Sequence, residues 1–172
     1  ISRNDDMQGS YLGPQYSQNE IEEQLTILGA KFEILDEKSL IDKTAEDLSK
    51  GHAIGWFQGR MEFGQRALGN RSILADPRQK STKDLVNLAI KYRESFRPFA
   101  PSILAERVED YFVTKGDKSV NFMEKVLKFK KEVISSVPAV VHVDGSGRLH
   151  TVDEQSNPRY HRLIKEFDKI TG

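Results

Sequence analysis

The sequence predicts an α/β domain, on three observations. Stretches with helical apolar spacing are interspersed with apolar runs of strand length. At 172 residues the chain is long enough to bury one core. No apolar run approaches the roughly 20 residues of a membrane helix, and the polar residues from Ile1 to Ser10 are not expected to form a signal peptide.

The elements follow in order. Residues 1–16 are polar and broken by Gly9, Gly13 and Pro14. They are expected to form a linker or a segment lying on a preceding domain, with the domain itself over 17–172. The opening Ile suggests a piece of a longer protein or a processed one. Ser17 and Glu20 make a capping box, and Ile21, Leu25 and Leu28 share a helix face until Gly29. Residues 31–35 alternate like a short strand. A second helix over 39–50 turns Leu40, Ile41, Ala45 and Leu48 inward, with Gly51 at its end. Residues 52–57 have strand length. After a Gly- and Arg-rich stretch, 59–70, come a strand at 72–75 and a helix over 81–90 carrying Leu85, Leu88 and Ala89. The prolines of 97–101 call for extended chain. Residues 119–135 fit either a helix or an insertion around a strand. Residues 138–143 read as a buried strand, 144–147 as a turn and 148–152 as the hairpin partner. Asn157 caps a last helix that has Pro158 first and Tyr160, Leu163, Ile164 and Phe167 inward.

Charge is balanced overall, with 26 Lys and Arg against 26 Asp and Glu, so no global field points to nucleic acid or a membrane. The lack of cysteine excludes a disulfide framework, a zinc ribbon and thiol catalysis, and suits a reducing cytoplasm. Residues 58–98 depart from this balance. They hold nine cations (Arg60, Arg66, Arg71, Arg78, Lys80, Lys83, Lys91, Arg93 and Arg97) and four acids (Glu62, Asp76, Asp84 and Glu94). Six of the nine are arginine, the side chain suited to forked recognition of phosphate or carboxylate oxygens.

Three clusters within or near this region can carry chemistry. Gly59, Gly64 and Gly69 recur every five residues, which lets backbone N–H groups turn toward a ligand and an arginine face a polyphosphate. The same pattern also describes a surface loop with solvated arginines, and no Gly-Lys-Ser/Thr follows to make a P-loop. If 91–93 is extended, Lys91 and Arg93 share one face and suit a triphosphate or carbamoyl phosphate. If it is a helix end, its cations only complement the dipole. Glu94 can orient Arg93 or Arg97. On a regular strand His142 and Asp144 lie on one side, as an acid/base pair or as groups serving the turn. Ser146 has no evident base and oxyanion partner for a Ser-His-Asp hydrolase. His52, His150 and His161 are too scattered for a metal site, and none is expected.

Residues 59–78 (GRMEFGQRALGNRSILADPR), 90–102 (IKYRESFRPFAPS) and 142–148 (HVDGSGR) closely resemble the C-terminal domain of NodU/CmcH-type carbamoyltransferases. So do Leu12-Gly13-Pro14 and residues 157–160, in the same order along nearly the whole chain. The resemblance implies a YrdC-like fold: a twisted open mixed sheet with flanking helices. It would be incomplete at the C-terminus, because the family's Asn-Thr-Ser-Phe-Asn motif falls after Gly172. It implies that carbamoyl phosphate supplies a carbamoyl group to AMP from ATP, releasing pyrophosphate with Mg²⁺ present. An N-terminal actin-like (ASKHA) domain of the same polypeptide then passes the group to an acceptor hydroxyl. Lys91-x-Arg93 is similar to the Lys-x-Arg pair that binds nucleotide and acyl phosphates in YrdC-like domains. The implied catalytic residues are thus Lys91, Arg93 and Arg66. Arg60, Asn87, Arg97, Arg148 and His142 are the implied substrate- or nucleotide-binding residues. Two departures stand out: Gln65 where proline is usual, loosening the turn before Arg66, and His150 where glutamine is usual. The piece is expected to be recognisable but inactive alone. The alternative is a nucleic-acid or nucleotide-binding module without catalysis, since Phe57, Phe63, Tyr92, Phe96 and Phe99 interleave with the cations.

Overall fold

In the computed structural model, which describes residues 7–92, 94, 98–116 and 118–172, the local signals at chain level become elements in the expected order. Helix α1 (Gln18–Ile27) carries the capping box in full: Ser17 accepts from the Glu20 N–H, and the Glu20 carboxylate accepts from the Ser17 N–H at 2.7 Å. Helix α2 (Glu37–Ser49) starts two residues early, because Asp36 caps it through the Ser39 N–H at 3.0 Å. Strand β1 (Ile54–Phe57) pairs antiparallel with β2 (Arg71–Leu74). Helix α3 (Lys80–Leu85) runs into a π-helical turn, Val86–Ile90. Strand β3 (Ser102–Leu104), the short helix α4 (Val108–Tyr111), β4 (Phe112–Val113), β5 (Leu127–Phe129), β6 (Ser146–Gly147) and β7 (His150–Val152) follow. The chain closes on α5 (Pro158–Thr171), whose Asn157 cap accepts from the Tyr160 N–H at 3.3 Å.

The spacing of Ile41, Ala45 and Leu48 puts them on one face of α2, which packs on α5 and β1. With Trp56, Val152, Tyr160 and Leu163 they form the first core. Truncating Leu48 or Leu163 to Ala there should cost about 2–5 kcal/mol. A second core gathers Ile103, Val108, Phe112, Val120, Phe129, Val140 and Leu149 around the β4–β5–β6 sheet. Its Phe112 and Phe129 rings lie 4.2 Å apart.

The mixed α/β class stands, with parallel and antiparallel pairs both present. Among the described residues the strands make three small sheets rather than one open sheet. Three local readings need correction. Residues 31–35 are irregular chain with no strand partner among the described residues, and Phe32, Ile34 and Leu35 are exposed. Alternation alone does not supply a neighbour to bond to. Residues 138–143 are turn and irregular chain, since local bonds satisfy the backbone: Val140 N–H to Val137 O at 3.2 Å and His142 N–H to Ser146 O at 2.8 Å. The segment is apolar because Val140 belongs to the second core, and β7 pairs parallel with β3 instead of closing a hairpin. Finally, the helix over 81–90 widens at its end, where the Lys91 N–H reaches Val86 O at 2.9 Å. The wider turn buries Val86 and Asn87 and leaves Leu85 and Leu88 exposed. No helix among the described residues is long and apolar enough to cross a membrane.

Candidate functional site

The Arg/Gly stretch is organised from within. Glu62 is buried, and one of its oxygens accepts the N–H groups of Leu68 at 2.6 Å, Asn70 at 2.8 Å and Arg71 at 3.3 Å. The inward-turned amides therefore hold this carboxylate rather than standing open to a ligand. A network of carboxamides ties the loop to the rest of the domain. Gln58 Nε2 donates to Asn70 Oδ1 at 2.9 Å and Asn157 Oδ1 at 2.6 Å. Asn157 Nδ2 donates to the Tyr11 hydroxyl at 2.9 Å, and that hydroxyl donates to Leu68 O at 2.8 Å. Burial raises the Tyr11 pKa to about 12, so this phenol keeps its proton.

With the loop fixed, Arg66 points into a cavity of about 360 Å³. The opposite sides come from the end of β2 and the residues up to Pro77, from α3, from residues 98–102 and from α5. Lys83, Lys91 and Arg148 also line it, as do the apolar Phe99, Leu163, Ile164 and Phe167. Arg66, Lys83 and Lys91 have no hydrogen-bond or ion-pair partner for their side chains among the described residues. The acid on the wall, Asp76, is fully buried and already held by Arg78. The guanidinium donates from Nε at 3.0 Å and from Nη2 at 2.7 Å to one carboxylate oxygen, Oδ2. The cavity thus gathers three cations without a partner among the described residues, Arg66, Lys83 and Lys91, beside an apolar wall, an arrangement suited to an anion carrying a flat or apolar group.

Apart from His142, the expected site residues fall into three groups. Arg66, Lys91 and Arg148 converge on this cavity. Arg60 and Asn87 do not line it. Arg60 donates to Gly13 O at 3.1 Å and borders a separate, larger cleft on the α1 side, while Asn87 is a fully buried residue of the π-helical turn. Arg93 and Arg97 lie outside the described residues. The extended geometry considered for 91–93 is absent at its start: Lys91 is helical, at φ −89° and ψ −15°, and Tyr92 is left-handed at φ 49°.

His142 and Asp144 are not a direct pair. Ser146 stands between them, its Oγ 3.1 Å from His142 Nδ1 and donating to Asp144 Oδ1 at 2.6 Å. Hydrogen bonds from Lys128 and Ser146 hold the Asp144 carboxyl well below the usual range. Burial lowers the His142 pKa; Asp144 opposes this, and the charges of Arg148 and Lys83 add to it. These bonds brace the turn leading into β6.

Lys83, Glu62, Ser102 and Tyr160 are the site residues that sequence reasoning missed. Lys83 is visible in the sequence as a charge, but its direction depends on the path of α3 into the π-helical turn. Glu62 carries no signal beyond its place among the glycines.

Residues 45–172 match the family described as Carbamoyltransferase C-terminus. An uncharacterized protein of Synechocystis sp. is 42% identical over 193 aligned residues, covering 99% of this chain and 31% of that protein. Nodulation protein NolNO of Sinorhizobium fredii is 42% identical, with 96% of this chain and 25% of the relative covered. The 3'-hydroxymethylcephem-O-carbamoyltransferase of Streptomyces clavuligerus is 44% identical over 73% of this chain and 23% of its own. The chain spans less than a third of the length of these relatives.

Proposed function

Since the chain belongs to the carbamoyltransferase C-terminus family, we propose that its cation-lined cavity activates a carbamoyl group for transfer to a hydroxyl. Carbamoyl phosphate loses its phosphate to water as inorganic phosphate. The carbamate oxygen then bonds to the α-phosphorus of ATP, the bond to the β-phosphate bridge breaks, and pyrophosphate leaves. The products are carbamoyl adenylate, phosphate and pyrophosphate. A preceding actin-like (ASKHA) domain of the same longer polypeptide then moves the carbamoyl group to the acceptor. A cytoplasmic setting suits the cysteine-free sequence, and we take the mixed α/β domain to be YrdC-like.

The carrying observation is the set of three cations, Arg66, Lys83 and Lys91, that share one cavity and have no side-chain partner among the described residues. Phosphoryl and adenylyl transfer depend on fixed positive charge where oxyanions develop, more than on a covalent nucleophile. Arg66 offers a fork to the carbamoyl or phosphate oxygens. Lys83 and Lys91 act as point charges on phosphate, with Arg93, Arg97 and Arg148 as further phosphate ligands. The apolar wall at Phe99 and Phe167 receives the base.

For magnesium the side chains offer no cage. Among the described residues no three His, Cys, Asp or Glu groups converge, and Asp76 is engaged by Arg78. The ion would enter on the nucleotide phosphates, and no role above depends on it. The test is ATP–pyrophosphate exchange dependent on carbamoyl phosphate, measured in the full polypeptide. Loss of exchange in both Lys91→Ala and Lys83→Ala is expected. Wild-type exchange in both removes the assignment.

A further inference from the structure

Among the described residues that line the cavity there are four cations and a single acid, Asp76. The other polar groups on its wall, Gln65, Ser72, Thr82, Ser102 and Tyr160, are neutral. Asp76 lies two residues beyond β2, in the turn that leads to α3 and Lys83. Its side chain has no exposed surface, so water cannot solvate the carboxylate. A charge buried in this way has to be met by a cation.

The cation it meets comes from behind the wall. Arg78 does not line the cavity, and its side chain is 37% exposed on the solvent side. Arg78 Nε donates to Asp76 Oδ1 at 3.1 Å and to Oδ2 at 3.0 Å, and Nη2 donates to Oδ2 at 2.7 Å. The Arg78 N–H adds a bond to Oδ1 at 2.8 Å. The pair is also anchored. Nη2 donates to Ser49 O, at the end of α2, at 3.1 Å, and the guanidinium carbon lies 5.7 Å from the centre of the Phe167 ring. Between the two residues, Pro77 O accepts from the Ala139 N–H at 3.1 Å. Asp76 is therefore turned toward Arg78 by a fixed turn. Arg66, Lys83 and Lys91 keep no side-chain partner among the described residues.

We infer that Arg78 is a positioning residue for the anion site: by neutralising Asp76 from outside the cavity, it keeps that carboxylate from capturing a cavity cation. This rests on the reading of the cavity as a phosphate site. Arg78 itself touches no substrate. Without it, Asp76 becomes an internal competitor for phosphate. The carboxylate pairs with a cavity cation, which removes one phosphate ligand and leaves a negative charge beside the rest.

The test is calorimetric titration of the full polypeptide with inorganic pyrophosphate and with carbamoyl phosphate, with a urea midpoint for each variant. Arg78→Gln should weaken both anions about tenfold, the scale of one uncompensated charge in a partly buried site. Adding Asp76→Asn to that variant should restore wild-type affinity, although it restores none of the bonds that Arg78 made. Arg78→Lys supplies the charge without the fork and should bind as wild type does, even if its midpoint falls. Wild-type affinity in folded Arg78→Gln overturns the inference. So does an Arg78→Gln defect that Asp76→Asn leaves uncorrected, which would make the pair a structural brace alone. If Arg78→Gln does not fold, Arg78→Lys and the single variant Asp76→Asn decide: both should bind at least as tightly as wild type, and a loss in either overturns the inference. Wild-type protein that binds neither anion defeats the phosphate-site reading itself, and the inference with it.

Discussion

Gly69 lies against the ring of Tyr160 so closely that a Cβ added to the glycine would sit 2.3 Å from Tyr160 Cδ1. Its φ of 98° is also one that side chains resist. The Arg66 loop and the first turn of α5 therefore meet backbone to ring, and this contact sets one edge of the cavity.

Gly69→Ala combines strain with a clash against a buried ring. We expect a loss of about 2–4 kcal/mol of stability, read as a lower urea midpoint. An unchanged midpoint would show that Tyr160 moves away at little cost.

Glu62→Ala leaves the amides of Leu68, Asn70 and Arg71 without their acceptor. The expected destabilisation is about 3 kcal/mol, from buried donors left unpaired. Hydrogen exchange should localise it, with amide protection at Leu68 and Asn70 falling before that of α2.

Arg66→Lys keeps the charge but removes the fork. If the fork grips the oxygens of the carbamoyl phosphate, carbamoyl-phosphate-dependent exchange should fall at least about tenfold. Unchanged turnover would make Arg66 a general contributor to the field alone.

His150 makes stability depend on pH. Its folded pKa of about 4 lies below the ordinary histidine value of 6.5, because burial disfavours the charged ring. Between those values the unfolded chain binds the proton and the folded one does not, so stability falls as pH drops from about 6.5 toward 4. The full effect is about 3 kcal/mol. His150→Gln, which removes the titrating ring, should flatten the stability profile over that range. A profile as steep as wild type would assign the dependence to other groups.

Sequence legibility followed the range of the interactions. The Ser17–Glu20 box, the Asn157–Pro158 start and the 41/45/48 face of α2 were readable because their partners lie within one or two helical turns. Residues 138–143 were misread because an apolar run reports burial, and Val140 reaches the second core from a turn as well as from a strand. The β3–β7 pair joins residues 48 positions apart, which no local pattern reveals. At the site, Arg66, Lys91 and Arg148 were legible through the motifs that carry them. Arg60 was in the same motif, yet its guanidinium serves Gly13 O outside the cavity. Lys83 was hidden by direction rather than identity: only the path of α3 into the wider turn decides what it faces.

Helix α1 buries none of its residues, and the segment joining it to α2 has no strand partner among the described residues. At 10 residues it is too short to hold its shape unaided. The chain before it, by contrast, is clamped: Gly13 N–H bonds Met61 O at 2.9 Å, and Tyr11 sits in the Asn157 network. A protease cutting between α1 and α2 would therefore meet little resistance yet liberate nothing. The nicked protein should run as two bands on a denaturing gel and as one species in native chromatography, with residues 7–14 still seated on the domain they precede.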